Sequence, residues 1–316
     1  MSDRSRWVQV AEAGTLRALR FGGWVHRRFG RGPSTVVLAL AAAYYAARSG
    51  ERRRASRRYL ERLAATPEGR RVLGRNRGMV GVLRHFYEFA VNLYDRMVVW
   101  GGALDTLELE HDGSGEIFAL AESGQGVLLL GAHIGSLDML GFIARRYDLV
   151  VNVVAYYENA ERINAFFESQ GPEQVRLIHL DPASVQAAFA IRACLARGEI
   201  VVILADRPPP EGVRAGRVRI ARVGFLGQPA RFPMGPFLLA GVLECPVHLA
   251  LCVRSGRARY TTLMRPIAPA RRVPKGEREK HAREILARYV TLLELACQRY
   301  PLQWFNFYDF WEEDAA

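Results

Sequence analysis

A chain of 316 residues, half of them apolar and a quarter charged, excludes a disordered or fibrous protein and leaves room for one large α/β domain or two small ones. The formal charge of +12 is unevenly placed: residues 1–100 hold 20 Lys and Arg against 7 Asp and Glu, while residues 101–316 hold 24 against 25. One end of the chain therefore suits an anionic partner, either a membrane surface or nucleic acid. Every cation except Lys275 and Lys280 is arginine, so a lone arginine carries little weight.

The opening stretch, MSDRSRWVQVAEAG, lacks the basic-then-apolar order of a secretory signal. Helical patterns follow at about 5–30, 34–48, 50–65 and 77–100, interrupted by Gly30-Arg31-Gly32-Pro33 and Thr66-Pro67. The longest apolar run, Val36 to Ala47, has about twelve residues, short of the roughly 18 to 20 that cross a bilayer as a helix. Such a helix lies on a membrane or packs on the main domain. Trp7, Trp24, Tyr44, Tyr45 and Trp100 are interleaved with arginines, and ERRRASRRYLER (Glu51–Arg62) has the composition of a helix facing anionic lipid. The plainer alternative is a solvated basic face. Residues 1–100 are thus read as a helical, basic, membrane-associating segment, and residues 101–316 as the α/β domain. No helix-turn-helix or RNA-binding motif is present, so nucleic acid is not the expected partner.

From Gly124 the texture changes to short β-rich runs: VLLLGA, LVVNVVAYY, VRLIHL, IVVILAD, VRIARVGFLG, VHLALCV and RYTTLM. Helical patterns fall between the earlier runs, at about 137–147, 160–170 and 184–197, and a last helix is expected from Glu277 to Tyr300. This alternation predicts an α/β fold with a mixed, mostly parallel sheet flanked by helices. Cys194, Cys245, Cys252 and Cys297 lack C-x-x-C spacing and sit in apolar stretches. They read as small core residues in a reducing compartment, with no metal site or disulfide framework.

His133 is followed five residues later by Asp138, a spacing that also occurs at His111 and Glu116. Context separates the two. His111 lies in HDGSG, which has turn composition and reads as an exposed loop. His133 directly follows the apolar run Val127–Leu130 and precedes a helical pattern, with Gly131 and Gly135 freeing the backbone for a sharp turn. That places its imidazole at the carboxyl end of a strand, where open α/β sheets bind ligands. Asp138, in the first turn of the next helix, is expected to hold Nδ1–H and leave Nε2 to take a proton from an attacking hydroxyl. Gly124 and Gly126 precede a strand, Ser136 is not in a G-x-S-x-G elbow, and neither GxxxxGK[ST] nor H-E-x-x-H occurs. Nucleotide, serine-hydrolase and metallohydrolase chemistries lose their support.

GAHIGSLD (Gly131–Asp138) resembles the H-x4-D/E signature of the glycerolipid and lysophospholipid acyltransferase superfamily, in particular its lipid A biosynthesis (lauroyl/myristoyl) branch. Three further blocks resemble that branch in the same order: LADRPPPEG (Leu204–Gly212), FLGQPARFPMGPFLLAGVLECPV (Phe225–Val247) and PLQWFNFYDFW (Pro301–Trp311). The resemblance spans about residues 5–311. It implies a glycerol-3-phosphate acyltransferase-like αβα sandwich, a histidine base, no cofactor, and acyl-carrier protein or acyl-CoA as donor substrate. It also implies a place at the cytoplasmic face of the inner membrane, peripheral or monotopic. The strongly aromatic ending and the short first apolar segment depart from the branch and leave the lipid acceptor open.

Four more residues join the expected site as substrate-binding elements. Asp206 and Arg207 follow IVVILA and emerge at the same sheet edge as His133 if that strand is parallel, where Arg207 suits a phosphate or an oxyanion. Arg231 suits a charged acceptor, and Gly235 opens a turn into the helix FLLAGVLE. The reading is an acyltransferase that moves a fatty acyl chain from a thioester to a lipid hydroxyl without a covalent intermediate. The alternative is a catalytically silent lipid-binding protein of the same fold.

Overall fold

The computed structural model describes residues 28, 30–100, 106–156, 175–180, 186–208, 216 and 218–311. The expected helices at 5–30 and 160–170 lie essentially outside these residues. The chain begins with four helices: α1 (Arg31–Arg48), α2 (Gly50–Ala65), α3 (Pro67–Leu73) and α4 (Gly78–Trp100). Their boundaries follow local chemistry. Thr66 caps α3 by accepting the Gly69 amide at 3.1 Å, and Pro67 occupies the first helical position, where no amide is needed. Arg53 reaches back to the carbonyls of Ala46 and Ala47 at 2.7 and 2.9 Å, closing the carboxyl end of α1.

Several arginines of the cluster also make contacts within the fold. Arg53 caps a helix, Arg57 pairs with Glu61, Arg58 pairs with Asp309, and Arg62 lies over the Trp311 ring. Arg53, Arg58 and Arg62 therefore contact other elements of the fold, while Arg48, Arg52 and Arg54 are exposed on the surface.

The body is a seven-stranded sheet in the order β1-β9-β8-β2-β5-β3-β4. Its strands are β1 (Glu108–Asp112), β2 (Val127–Gly131), β3 (Val151–Tyr156), β4 (Val175–Leu180), β5 (Ile200–Leu204), β8 (Val247–Arg254) and β9 (Arg259–Ala268). β8, β2, β5, β3 and β4 run parallel; β9 is antiparallel to β8, and β1 pairs parallel with β9. The mixed, mostly parallel sheet expected from the sequence is the observed one. Helices α5 (Gly115–Glu122), α6 (Leu137–Arg146), α7 (Gln186–Ala196) and α9 (Arg278–Arg299) accompany it.

Every residue of β2 is buried, as befits a parallel strand covered on both faces. Its side chains alternate between two apolar layers. Leu128 and Leu130 join one with residues of α7 and α9, whereas Val127 and Leu129 join the other with residues of α5 and α6. Ala46, Tyr59, Leu63, Leu73, Val82 and Phe86 from the amino-terminal helices belong to the first layer. Those helices share the core of the sheet.

Two sequence readings change. VRIARVGFLG supplies β6 (Ile220–Phe225), which leaves the main sheet and forms a separate antiparallel hairpin with β7 (Gln228–Pro233) ahead of α8 (Gly235–Leu243). His111, expected in a loop, is exposed but lies in β1, where its ring contacts Thr262 Oγ1 and Tyr147 Oη, each at 3.0 Å. β1 is a short, polar edge strand (ELEHD) without the apolar alternation that betrays a buried one. All four cysteines are buried and unpaired with one another. Among the described residues no helix is long and apolar enough to cross a membrane.

Candidate active site

β2 and β5 are parallel neighbours with Gly131 opposite Leu204, so His133 and Asp206 each stand two residues beyond a strand end. The register alone brings them together. Asp206 is fully buried and accepts from His133 twice: Nδ1 lies 2.8 Å from Oδ1, and the His133 amide lies 3.1 Å from Oδ2. Trp304 Nε1–H donates to the same Oδ2 at 3.1 Å. Burial by itself would raise the Asp206 carboxyl. The charge and hydrogen bonds of His133, with the Arg207 charge, outweigh it and hold the group well below the usual carboxylate range. An ionised Asp206 requires the proton on Nδ1, and the imidazole is then presented with more than a third of its side chain exposed.

The expected partner of Nδ1 was Asp138, with Asp206 among the substrate contacts. Asp138 belongs to the first turn of α6, and its side chain lies outside the described residues. Asp206, expected among the substrate contacts, is the carboxylate that meets Nδ1 among the described residues. Arg207 is also turned inward: Nη2 donates to the Phe305 carbonyl at 2.6 Å, and the guanidinium lies 5.4 Å from the Tyr308 ring. Arg231 lies on β7 opposite Arg222. Gly235 opens α8 at an exposed position with open space where a Cβ would stand. The described contacts bring Asp206 and Arg207 to His133 and leave Arg231 and Gly235 on the hairpin side.

Residues 301–311 close over the strand ends and supply what the sequence reading missed. The Phe305 amide donates to the His133 carbonyl at 2.9 Å, and the Gly135 amide donates to the Gln303 carbonyl at 2.9 Å. The Gln303 side chain bonds both backbone groups of Arg254, Oε1 accepting at 2.8 Å and Nε2 donating at 2.7 Å, as an added strand would. Trp304 is completely buried against Tyr59, Phe225 and Phe310. The only signal for these residues was the PLQW block itself, which does not say where the segment returns.

Gly135 has a positive φ of 65°, and a Cβ there would stand 2.0 Å from the Cys252 carbonyl oxygen. Neither the backbone conformation nor the space admits a side chain. Gly135→Ala is expected to lower the thermal midpoint by at least about 5 °C and to remove activity, because the clash falls between His133 and α6. A variant with unchanged melting and turnover, by calorimetry and assay, would contradict this account of the turn.

A sequence profile described as bacterial lipid A biosynthesis acyltransferase matches residues 101–313. The chain belongs to this family. The acyltransferase therefore acts on lipid substrates, as the four sequence blocks implied, and its match begins where the amino-terminal helices end. No curated protein matches the chain. His133, Asp206 and the closing segment of the acyltransferase all fall within the matched region.

Proposed function

We propose that this acyltransferase transfers a fatty acyl chain from an acyl-carrier-protein or coenzyme A thioester to a hydroxyl of a lipid, with His133 as general base. The carrying observation is the double contact of the buried Asp206 carboxylate with His133 at adjacent strand ends. Asp206 holds Nδ1–H, so Nε2 takes the hydroxyl proton as the oxygen attacks the thioester carbonyl. The C–O bond forms, the tetrahedral intermediate collapses with cleavage of C–S, and the imidazolium returns the proton to sulfur. No acyl-enzyme is needed.

The amides of His133, Gly135 and Ser136 are already bonded to Asp206, Gln303 and Cys252. The developing oxyanion is therefore assigned to the amides that open α6, which helix geometry leaves without intrahelical acceptors and which Ser136 does not cap. Arg231 and Gly235 stay in this reading as binding elements for a charged headgroup or donor phosphate, with Arg207 shaping the closing segment. The test is release of free thiol from long-chain acyl donors, with and without a membrane lipid extract, beside His133→Ala. Lipid-dependent release that disappears in the variant supports the reading. No release from either donor would leave a lipid-binding protein of the same fold.

We also place the protein at the cytoplasmic face of the inner membrane through its amino-terminal helices. Val36, Leu40 and Tyr44 are each more than half exposed and lie one above another on α1. Met79 and Val80 on the adjoining α4 are exposed as well, with Arg48, Arg52 and Arg54 near the end of the stripe. Apolar side chains beside guanidinium groups suit an anionic bilayer surface. Replacing Leu40 and Tyr44 together by Asp is expected to weaken binding to vesicles containing phosphatidylglycerol about ten-fold in a sedimentation assay. Unaltered partition would remove α1 from the docking face.

A further inference from the structure

We infer that Trp304 is a positioning residue for the base and that His85 and Ser56 hold Trp304 in place, so that one buried hydrogen-bond chain runs from α2 to His133. This rests on His133 acting as the base. The chain is continuous. Ser56 Oγ lies 2.8 Å from His85 Nδ1, His85 Nε2 lies 3.0 Å from the Trp304 carbonyl, and Trp304 Nε1 lies 3.1 Å from Asp206 Oδ2. Ser56, His85, Trp304 and Asp206 are each completely buried.

The donor directions are fixed by elimination. A carbonyl only accepts, so His85 carries its proton on Nε2, and its Nδ1 accepts from the Ser56 hydroxyl. The indole only donates, so it bonds the carboxylate. For the neutral ring, which burial favours, no other assignment satisfies all the bonds at once, and an unsatisfied member in this buried interior would be costly.

Two further ties join α2 to the same segment: Arg58 pairs with Asp309, and Arg62 lies 4.6 Å over the Trp311 ring. His85 is also stacked on Phe307 at 4.7 Å. The segment carrying Trp304 is thus held along its length by the amino-terminal helices, which lie outside the family match.

The indole does for Asp206 what Asp206 does for His133. By sharing Oδ2 with the His133 amide it fixes the carboxylate plane, so Oδ1 meets Nδ1. It also draws off part of the negative charge. Without that donor the carboxylate swings more freely, so the base spends less time aligned. Among the described residues the charged groups beside the ring are Asp206 and Arg207, whose Nε is 3.8 Å from Asp206 Oδ2.

Two measurements on the full chain test the inference. In wild-type protein the Trp304 indole N–H resonance is expected to move over the same pH interval as the His133 ring resonances. In Trp304→Phe, kcat is expected to fall about ten-fold with an unchanged KM for the acyl donor. An indole resonance that stays fixed while His133 titrates overturns the inference, as does a folded Trp304→Phe with kcat within two-fold of wild type. If the variant does not fold, or if wild-type protein releases no thiol and the acyltransferase reading fails, the wild-type resonance alone decides the placement of Trp304.

Discussion

Asp206→Asn is expected to lower kcat by roughly 10³ to 10⁴-fold while leaving the protein folded, the scale seen when a catalytic histidine is locked in the wrong tautomer. The reason is atomic. Among the described residues, Oδ2 faces two hydrogen-bonding groups that can only donate, the His133 amide and the Trp304 indole, whereas Oδ1 meets Nδ1. An asparagine must turn its oxygen toward the two donors, so its NH₂ faces Nδ1. Nδ1 then becomes an acceptor and the ring proton moves to Nε2, the nitrogen that has to receive the substrate proton. Steady-state thiol release with a thermal melt as the folding control checks this, with Asp138→Asn measured alongside. The proposed division of labour requires the larger loss at Asp206. Near-wild-type turnover in Asp206→Asn would end the case for it as the orienting carboxylate.

Stability is expected to fall by about 3 kcal/mol as the pH drops from about 6.5 toward 4, through His85. Burial lowers the pKa of this imidazole from 6.5 to about 4, against the opposing hydrogen bond to the Trp304 carbonyl. The neutral ring is the folded form. Above pH 6.5 neither folded nor unfolded chains carry the proton and the stability is fully present. Between 6.5 and 4 only the unfolded chain binds it, so stability is lost as pH falls; below 4 both bind it and no further loss arises. His85→Gln keeps an acceptor for Ser56 and a donor for Trp304 but cannot titrate. Urea unfolding at a series of pH values should give a wild-type curve that sags across this window relative to the variant. Parallel curves would mean that His85 protonates without penalty.

The sheet was legible because parallel strands buried on both faces leave runs such as VLLLG and IVVIL that only a covered sheet accommodates. The position of His133 was legible for the same reason, since it follows directly on such a run. The contact with Asp206 was not. Register, which no single strand reveals, sets Gly131 against Leu204 and so pairs His133 with a residue 73 positions later. Asp138, close in sequence, was the natural expectation from local spacing. The roles of His85 and Trp304 were hidden for a related reason: each looks like an ordinary core residue until the partner 219 positions away in sequence is known. β1 and the β6–β7 hairpin were obscured by polar edge sequence and by pairing that the apolar pattern does not encode.

The closing segment has a consequence for how activity arises during folding. The helix-and-strand units around β2 and β5 form from residues close in sequence, but the amide that fastens the His133 carbonyl belongs to Phe305, a contact across most of the chain. Such long-range closure is intrinsically slow. The sheet can therefore mature before the imidazole is set, and a chain interrupted ahead of residue 303 would carry the parallel strands, His133 and Asp206 without the Trp304 and Phe305 groups that fasten them.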